Sequence, residues 1–228
     1  MTVEVIRGEN LTKNYKLGES LVHALQDVSL KINASEFLSI MGPSGSGKTT
    51  LLNLLGALDL PTSGRVFFDG VNLSQVPERK LYEVRRKKVG FVFQHFYLIP
   101  TLTTIENVFV PVIPVRDNTR FKDRARMLLA MVGLEERMKH KPNQLSGGEQ
   151  QRVAICRALI NNPKVLFCDE ITGELDSATG ERIIDLLKEI NQKEGVTVIF
   201  VTHDPTVSSK SNRIITLKDG KITSDRII

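Results

Sequence analysis

Hydrophobic and polar positions divide much of the chain into apolar runs of strand length and stretches with helical spacing. Short apolar runs, which are typical of buried strands, occupy residues 37–41, 89–93, 165–168 and 196–201. Apolar residues recur at intervals of three and four in residues 51–58, in most of 103–134, in 153–158 and in 183–190. Buried strands interleaved with helices predict the α/β fold class.

Other segments alternate between apolar and polar residues. Residues 28–32 alternate cleanly, and Val3, Val5, Leu11 and Tyr15 are separated by polar positions, so the opening segment is predicted to form strands and turns. Residues 65–68 form a further strand that closes on a turn at 69–70, and residues 214–220 repeat this style. We expect an antiparallel sheet packed beside the core.

Composition narrows the class of protein. The chain has 228 residues, 41% of them hydrophobic and 25% charged, which suits one soluble domain over 1–228. No apolar run approaches a membrane span and the N-terminus lacks a signal-peptide core, so we expect a cytosolic location. The net charge of +5 is compatible with an anionic ligand or an acidic membrane surface and only weakly indicates nucleic acid. The basic run Arg85–Lys88 is predicted to be a solvated helix end, and Cys156 and Cys168 to be reduced core residues.

A glycine-rich turn, Gly42–Thr49, lies between the apolar run 37–41 and the helical stretch 51–58. Glycines allow successive backbone N–H groups to point toward a phosphate, and the following helix adds its positive N-terminal dipole. Lys48 can reach the β- and γ-phosphates, and the Thr49 hydroxyl can bind Mg²⁺. A glycine turn without a ligand is the alternative, but the flanking strand and helix favour a phosphate cradle.

A second candidate anion site precedes the helix that contains Val153 and Ala158. Ser146 and Glu149 have the spacing of a capping box, which is a sufficient structural explanation for both. It does not explain the two adjacent glycines, Gly147 and Gly148, which cost stability at a helix start. They supply unobstructed N–H groups at the positive end of a helix dipole.

Polar side chains follow three of the apolar runs. Gln94 follows the second, Asp169 and Glu170 end the third, and His203 comes just after the fourth. Each has an ordinary structural alternative: Gln94 and Asp169 can simply be polar residues that end an apolar strand, and His203 can have a structural role. We expect them to gather at the carboxyl edge of the sheet, where open α/β sheets bind ligands.

Three further features keep two interpretations each. Tyr15 is either an ordinary tyrosine or a ring that stacks on a purine. Asp176 opens a predicted helix, where an N-cap role is nearly as good an explanation as a functional one. The apolar side chains of Phe96, Tyr97, Leu98 and Ile99 either pack under a loop or form a patch that another protein covers.

Together these residues resemble the ATP-binding subunit of an ABC transporter over essentially the whole chain. Gly42–Thr49 resembles Walker A, Gln94 the Q-loop, Leu145–Gln150 the signature motif and Val165–Asp169 Walker B. Tyr15 resembles the adenine-stacking aromatic, Glu170 the catalytic base, Gly173–Asp176 the D-loop and His203 the switch histidine. The segments GPSGSGKTTLLNLLGALD, VGFVFQHFYLIPTLTTIENV and NQLSGGEQQRVAICRAL resemble the lipoprotein-release and macrolide-export branch.

The resemblance implies a P-loop NTPase core with a mainly parallel sheet, an antiparallel β subdomain and a helical signature subdomain. The approximate division is 1–95 and 160–228 for the core with the antiparallel sheet, and 96–159 for the helical part. ATP and Mg²⁺ are the implied ligands. The implied catalytic residues are Glu170, His203, Lys48 and Gln94, and the implied metal ligands are Thr49, Gln94 and Asp169. The implied nucleotide contacts are Tyr15, Gly42, Pro43, Ser44, Gly45, Ser46, Gly47, Lys48, Thr49, Thr50, Ser146, Gly147, Gly148, Glu149 and Asp176.

The family's mechanism implies a head-to-tail homodimer, in which the signature of one subunit caps the γ-phosphate bound by the other. Closure and hydrolysis would drive a separate membrane permease, contacted near Phe96, Tyr97, Leu98 and Ile99, for export or extraction from the membrane. The chain would then be attached to the inner face of the cell membrane through that subunit. The alternatives are an ATPase that signals through a membrane partner to an envelope enzyme or sensor, and a soluble ABC ATPase of DNA repair or translation.

Three positions depart from the pattern of this branch. Ile171 replaces the usual proline, Glu174 stands where a small or amide residue is common, and Ala34-Ser35 replaces a glycine. None removes a reacting group. The first two bear on the geometry of the D-loop.

Overall fold

A six-stranded sheet forms the centre of the molecule. The computed structural model describes residues 3–115 and 118–228, so residues 116 and 117 of the predicted helical stretch 103–134 lie outside the described residues. Strands and helices are numbered in chain order. Across the sheet the strands are β10 (Lys221–Ile227), β9 (Arg213–Lys218), β3 (Phe37–Met41), β8 (Thr197–Thr202), β7 (Val165–Asp169) and β6 (Val89–Phe93). All neighbours are parallel except β10 and β9.

Helices cover both faces of this sheet. They are α1 (Lys48–Leu55), α2 (Glu78–Lys88), α3 (Thr104–Phe109), α4 (Arg120–Met131), α5 (Gly147–Leu159), α6 (Ser177–Glu194) and the short α7 (Pro205–Ser208). Turns of 3₁₀ helix occupy Leu73–Gln75, Val110–Val112, Glu135–Arg137 and Pro142–Gln144. Helix α1 is shorter than predicted because the chain turns at Gly56 and Ala57, and Leu58 lies outside it with 44% of its surface exposed.

Two apolar clusters lie on opposite faces of the central sheet. Along β7, Val165 and Phe167 belong to one cluster, and Leu166 and Cys168 belong to the other. Because both faces are covered, the strand is apolar from Val165 to Cys168 rather than alternating, and its only polar residue is the terminal Asp169. The predicted α/β class is confirmed.

The second sheet is antiparallel, as predicted. Its order is β2 (Ser20–Asn33), β1 (Glu4–Leu17), β4 (Ser63–Phe68) and β5 (Val71–Asn72). The opening segment forms strands joined by a turn, as predicted, and the two strands are long and pair as one hairpin with irregular register. Asn10 and Asp27 lie at such irregularities, with φ values of 49° and 53°, and the side-chain amide of Asn10 donates to Oδ1 of Asp27 at 2.7 Å.

The basic run Arg85–Lys88 forms the last turn of α2, but it is not simply solvated. Arg85 donates to the carbonyl of Ala57 at 2.8 Å, and Lys88 pairs with Asp69 at 2.7 Å. Cys156 and Cys168 are buried free thiols, and burial raises the pKa of both. Within 3–115 and 118–228, no helix has the length and apolar character that a membrane crossing needs.

Candidate functional site

The Gly42–Thr49 turn connects β3 to α1, and its glycines are required by geometry. Gly45 and Gly47 have φ values of 78° and 98°, in the left-handed region that favours glycine. A Cβ on Gly42 would lie 2.2 Å from the carbonyl oxygen of Leu217, and one on Gly47 would lie 2.3 Å from that of Ala24. No side chain caps α1 at Gly47, so the backbone N–H groups of its first turn have no capping acceptor.

Lys48 lies beneath this turn as a buried cation. It is only 5% exposed, and its Nζ donates to the carbonyls of Gly42 and Pro43 at 3.0 and 2.9 Å. None of the ion pairs in the described part of the chain includes Lys48. The nearby hydroxyl of Ser46 is also buried, and no hydrogen-bond partner for it is found among the described residues. A desolvated cation that forms no direct ion pair among the described residues, beside an unsatisfied hydroxyl, fits the binding of an anion such as phosphate.

Thr49 lies next to the end of β7, where its hydroxyl donates to Oδ1 of Asp169 at 3.0 Å. Burial raises the pKa of Asp169, and the negative charge of Glu170 raises it further, while the Thr49 hydroxyl and Lys48 act in the opposite direction. A hydroxyl and a carboxylate in contact are the oxygen ligands that Mg²⁺ takes together with substrate phosphates. The residues therefore fit a magnesium ion.

Glu170 and His203 lie at the ends of the neighbouring strands β7 and β8. His203 Nδ1 is 3.7 Å from Oε2 of Glu170. Glu170 has a φ of 46° and its N–H donates to the carbonyl of Val201 at 3.2 Å. A glutamate rarely adopts this left-handed backbone, and such residues concentrate at functional sites. The carboxylate of Glu170 lies beside His203, at the carboxyl ends of β7 and β8.

Gln94 follows β6, whose last residue, Phe93, is in register with Asp169 on β7. The predicted residues at the ends of β6, β7 and β8 thus share one edge. The side-chain amide of Gln94 lies against Gly173, where a Cβ would be 3.0 Å from its nitrogen. The adjacent His95 pairs with Glu174, one of the positions that depart from the family pattern. These contacts join the segment after β6 to the segment 173–176.

Tyr15 lies on β1 beside the phosphate turn. Its hydroxyl donates to Asp59 at 2.9 Å, and Lys13 lies 5.0 Å from the ring centroid. Partial burial raises the pKa of Tyr15, and Asp59 adds to the rise, while a hydrogen bond with Thr50 opposes it. Sequence reasoning identified neither Lys13, two residues away on the same strand, nor Asp59, which lies 44 residues along the chain and meets Tyr15 only in the folded structure.

The signature segment begins helix α5 and opens into a separate cleft of about 400 Å³. Ser146 and Glu149 form the expected capping box, and the N–H of Ser146 holds the pKa of Glu149 below its usual value. Close packing accounts for one glycine, since a Cβ on Gly148 would lie 2.6 Å from Cγ2 of Thr179. Asp176 caps helix α6 by accepting from the Thr179 N–H, as its structural interpretation predicted.

Two arginines in this cleft were missed by sequence reasoning. Arg152 and Arg182 line it together with Ser146, Gly147, Gly148, Glu149, Glu174, Leu175, Asp176 and Thr179. The Nε atom of Arg152 is buried, and no hydrogen-bond partner for it is found within the described ranges. No residue of the Gly42–Thr49 turn is among the lining residues of the cleft, so the two candidate phosphate sites are separate within one chain.

Comparison with known proteins gives a consistent result. Residues 25–173 match the family described as "ABC transporter". The chain is 52% identical over 223 residues to the uncharacterized ABC transporter ATP-binding protein MJ0796 of Methanocaldococcus jannaschii, covering 96% of this chain and 95% of that protein. It is 47% identical to the macrolide export ATP-binding/permease protein MacB of Syntrophobacter fumaroxidans, with 96% of this chain aligned to 31% of that longer protein.

Solved structures agree with the sequence relatives. The chain superposes with a TM-score of 0.88 and 48% identity on a dimeric post-hydrolysis state of the ATP-binding cassette MJ0796 bound to ADP and Pi, covering 97% of this chain and 98% of that one. A dimeric structure described as MJ0796, a bacterial ABC transporter cassette, gives the same TM-score at 49% identity, again over 97% of this chain and 98% of that one. With the buried lysine, the paired Thr49 and Asp169 and the separate signature cleft already described, we conclude that the chain belongs to the ABC transporter family as one of its ATP-binding, ATP-hydrolysing cassettes.

Proposed function

We propose that two copies of this chain bind ATP between them and hydrolyse it to drive a separate membrane subunit, for export or extraction of a substrate from the membrane. The observation that carries the proposal is the division of the site. The Gly42–Thr49 turn, Asp169 and Glu170 occupy one edge of the sheet, while Ser146–Gly148 opens into another cleft. A second copy placed head to tail supplies the missing half to each site.

In the proposed reaction, Lys48 exchanges its carbonyl acceptors, Gly42 and Pro43, for the β- and γ-phosphate oxygens. Thr49 and Asp169 hold Mg²⁺, which would neutralise charge on the phosphates. The backbone N–H groups of Gly147 and Gly148 in the partner subunit donate to the γ-phosphate. Tyr15 stacks on the adenine, and Thr50 and Asp176 complete the nucleotide contacts.

Glu170 is proposed as the general base. Its carboxylate accepts a proton from the attacking water, and His203, 3.7 Å away, orients that carboxylate and the γ-phosphate. Gln94 would bind the Mg²⁺ or the water from the neighbouring strand end. The left-handed backbone of Glu170 is a strained conformation of the kind that concentrates at functional sites, which supports this role.

The membrane partner is part of the same proposal. Tyr97 and Ile99 are 64% and 40% exposed, and Phe96 and Leu98 are partly buried beside them. The permease fused to the cassette in the MacB relatives supports a partner of that kind for this chain. Residues 96–159 are proposed to move as a helical unit against the rest of the chain, carrying this surface with them. The chain would be held at the inner face of the membrane through that partner.

The decisive experiment is Glu170→Gln with saturating ATP and Mg²⁺. ATP hydrolysis is expected to fall by about 10²–10⁴-fold because the general base is lost. The ATP-bound dimer should then accumulate, as measured by size-exclusion chromatography with light scattering. Glu194→Gln, an exposed carboxylate at the end of α6, is the matched control and should hydrolyse ATP normally and leave no trapped dimer. A Glu170→Gln protein that stays monomeric at saturating ATP would refute the shared site.

A further inference from the structure

Arg157, near the end of α5, donates two hydrogen bonds to the backbone of the segment after β6. Its Nη2 reaches the carbonyl of Phe96 at 2.7 Å, and its Nη1 reaches that of Tyr97 at 2.5 Å. Burial lowers the pKa of Arg157, and no ion pair in the described part of the chain includes it. The two carbonyls are therefore the principal partners of a desolvated guanidinium, whose planar fork suits a pair of adjacent acceptors.

The segment that Arg157 holds is strained and exposed. Tyr97 has a φ of 46°, a left-handed backbone that a tyrosine rarely adopts, although 64% of its surface is exposed. Exposed chain keeps such a conformation only where neighbouring groups impose it. The φ and ψ rotations of Tyr97 lie between the carbonyls of Phe96 and Tyr97. Because Arg157 donates to both carbonyls, it provides that constraint.

The same helix touches this segment at its other end. A Cβ on Gly147 would lie 3.7 Å from Cζ of Phe96, so the phenyl ring lies against the signature glycine. Gly147 and Arg157 are ten residues apart on α5, or about 15 Å along a rigid helix. One helix therefore presents the signature at its N-terminus and fixes the backbone of residues 96 and 97 near its C-terminus.

The ring of Tyr97 makes a different contact. It lies edge-on to Phe93 of β6, with centroids 5.5 Å apart and planes at 79°. The backbone of Tyr97 is thus tied to α5, while its ring rests on the central sheet. Any displacement of α5 relative to β6 must change this packing.

We infer that Arg157 is a positioning residue that makes the 96–99 surface move with the signature helix. When ATP on a second copy binds the signature, the resulting displacement of α5 then displaces residues 96–99. The inference rests on the proposed ATP-bound dimer. It assigns the transmission to Arg157, which contacts neither the phosphate turn nor the cleft.

The chain has no tryptophan, so Tyr97→Trp introduces a single fluorescent reporter at the exposed end of this link. In the Glu170→Gln background, ATP should drive dimerisation and shift the tryptophan emission as the indole moves over Phe93. Arg157→Lys keeps the charge but loses the fork, and it should reduce the emission change about threefold or more while dimerisation continues. Val71→Trp on β5, a position 47% exposed, is the control and should respond equally with either residue at 157.

Each contrary result has a distinct meaning. If the parent protein, which carries Tyr97→Trp and Glu170→Gln, does not dimerise, both the shared site and the inference are wrong. If it dimerises without an emission change, or if Arg157→Lys leaves that change intact, only the inference fails. An Arg157→Lys protein that is folded by circular dichroism but no longer dimerises also contradicts it, because Arg157 would then act on the signature itself. Should the Lys variant not fold, Arg157→Gln, which also loses the fork, replaces it and its emission change is judged by the same outcomes.

Discussion

The molecule has two glycine-rich helix starts, and they differ in whether they supply positive charge to an anion. Helix α1 begins at Gly47 without a side-chain cap and contains the buried cation Lys48. Helix α5 begins with the closed capping box of Ser146 and Glu149. The cleft in front of α5 is lined by three carboxylates and two guanidinium groups. The first start carries its own positive charge for an anion, whereas the second offers directed N–H groups without a net positive charge.

This difference explains why one start can act alone and the other cannot. A polyphosphate needs charge compensation as well as hydrogen bonds before it leaves water. Lys48 and a magnesium ion at Thr49 and Asp169 would supply that compensation at α1. The signature suits a phosphate whose charge is already compensated by other groups, so we expect it to bind only nucleotide that is held by the phosphate turn of another copy. The following changes test that contrast.

The largest expected effect is that of Lys48→Ala. Removing the buried cation should weaken ADP binding to the isolated chain by about 100-fold or more, because one partner of a desolvated charge pair is lost. Arg152→Ala, which removes a cation from the signature cleft instead, should leave ADP affinity within about twofold. Titration calorimetry with Mg²⁺ and ADP measures both. Equal losses of ADP affinity in the two variants would mean that positive charge does not distinguish the start of α1 from the start of α5.

Gly148→Ala is expected to have a smaller and more selective effect. The new methyl group would lie 2.6 Å from Cγ2 of Thr179, so the start of α5 must shift. ADP binding at α1 should be unchanged, while ATP-driven dimerisation in the Glu170→Gln background should weaken about tenfold. Thr179→Ser removes the opposing methyl group and keeps the backbone N–H that Asp176 caps, so the double variant should recover dimerisation. Failure of that rescue would separate the defect from this contact.

The smallest effect is expected at the capping box. The pKa of Glu149 is lowered chiefly because its carboxylate accepts the Ser146 N–H, so its stabilising contribution is present above the unfolded pKa and lost as pH falls through the folded value. Glu149→Gln should therefore reduce the free energy of unfolding by about 1 kcal/mol or less at pH 7. The difference between the two proteins should begin to shrink as the pH falls past the unfolded pKa, at about 4.3, and should vanish only once the pH is below the lowered folded pKa. Urea unfolding across this range measures it, and a difference independent of pH would show that the carboxylate charge is not responsible.

Much of the fold and of the site could be predicted from local sequence. Continuous apolar runs located β6, β7 and β8 because strands covered on both faces need no polar positions. The Gly-Lys-Thr turn identified the start of α1, since few other sequences place glycines where a left-handed backbone leads into a helix. The capping box at Ser146 could likewise be predicted, because its two partners, Ser146 and Glu149, are three residues apart.

What the sequence by itself determined, then, is the chemistry available at each strand end and helix start. Only the tertiary structure decided which of these groups meet. The contact of Thr49 with Asp169 spans 120 residues, and the packing of Gly148 on Thr179 depends on how α5 and α6 cross. The hydrogen bonds from Arg157 to the carbonyls of Phe96 and Tyr97 join residues about sixty positions apart. Such contacts arise from the packing of whole helices on the sheet, and no local pattern in the chain encodes them.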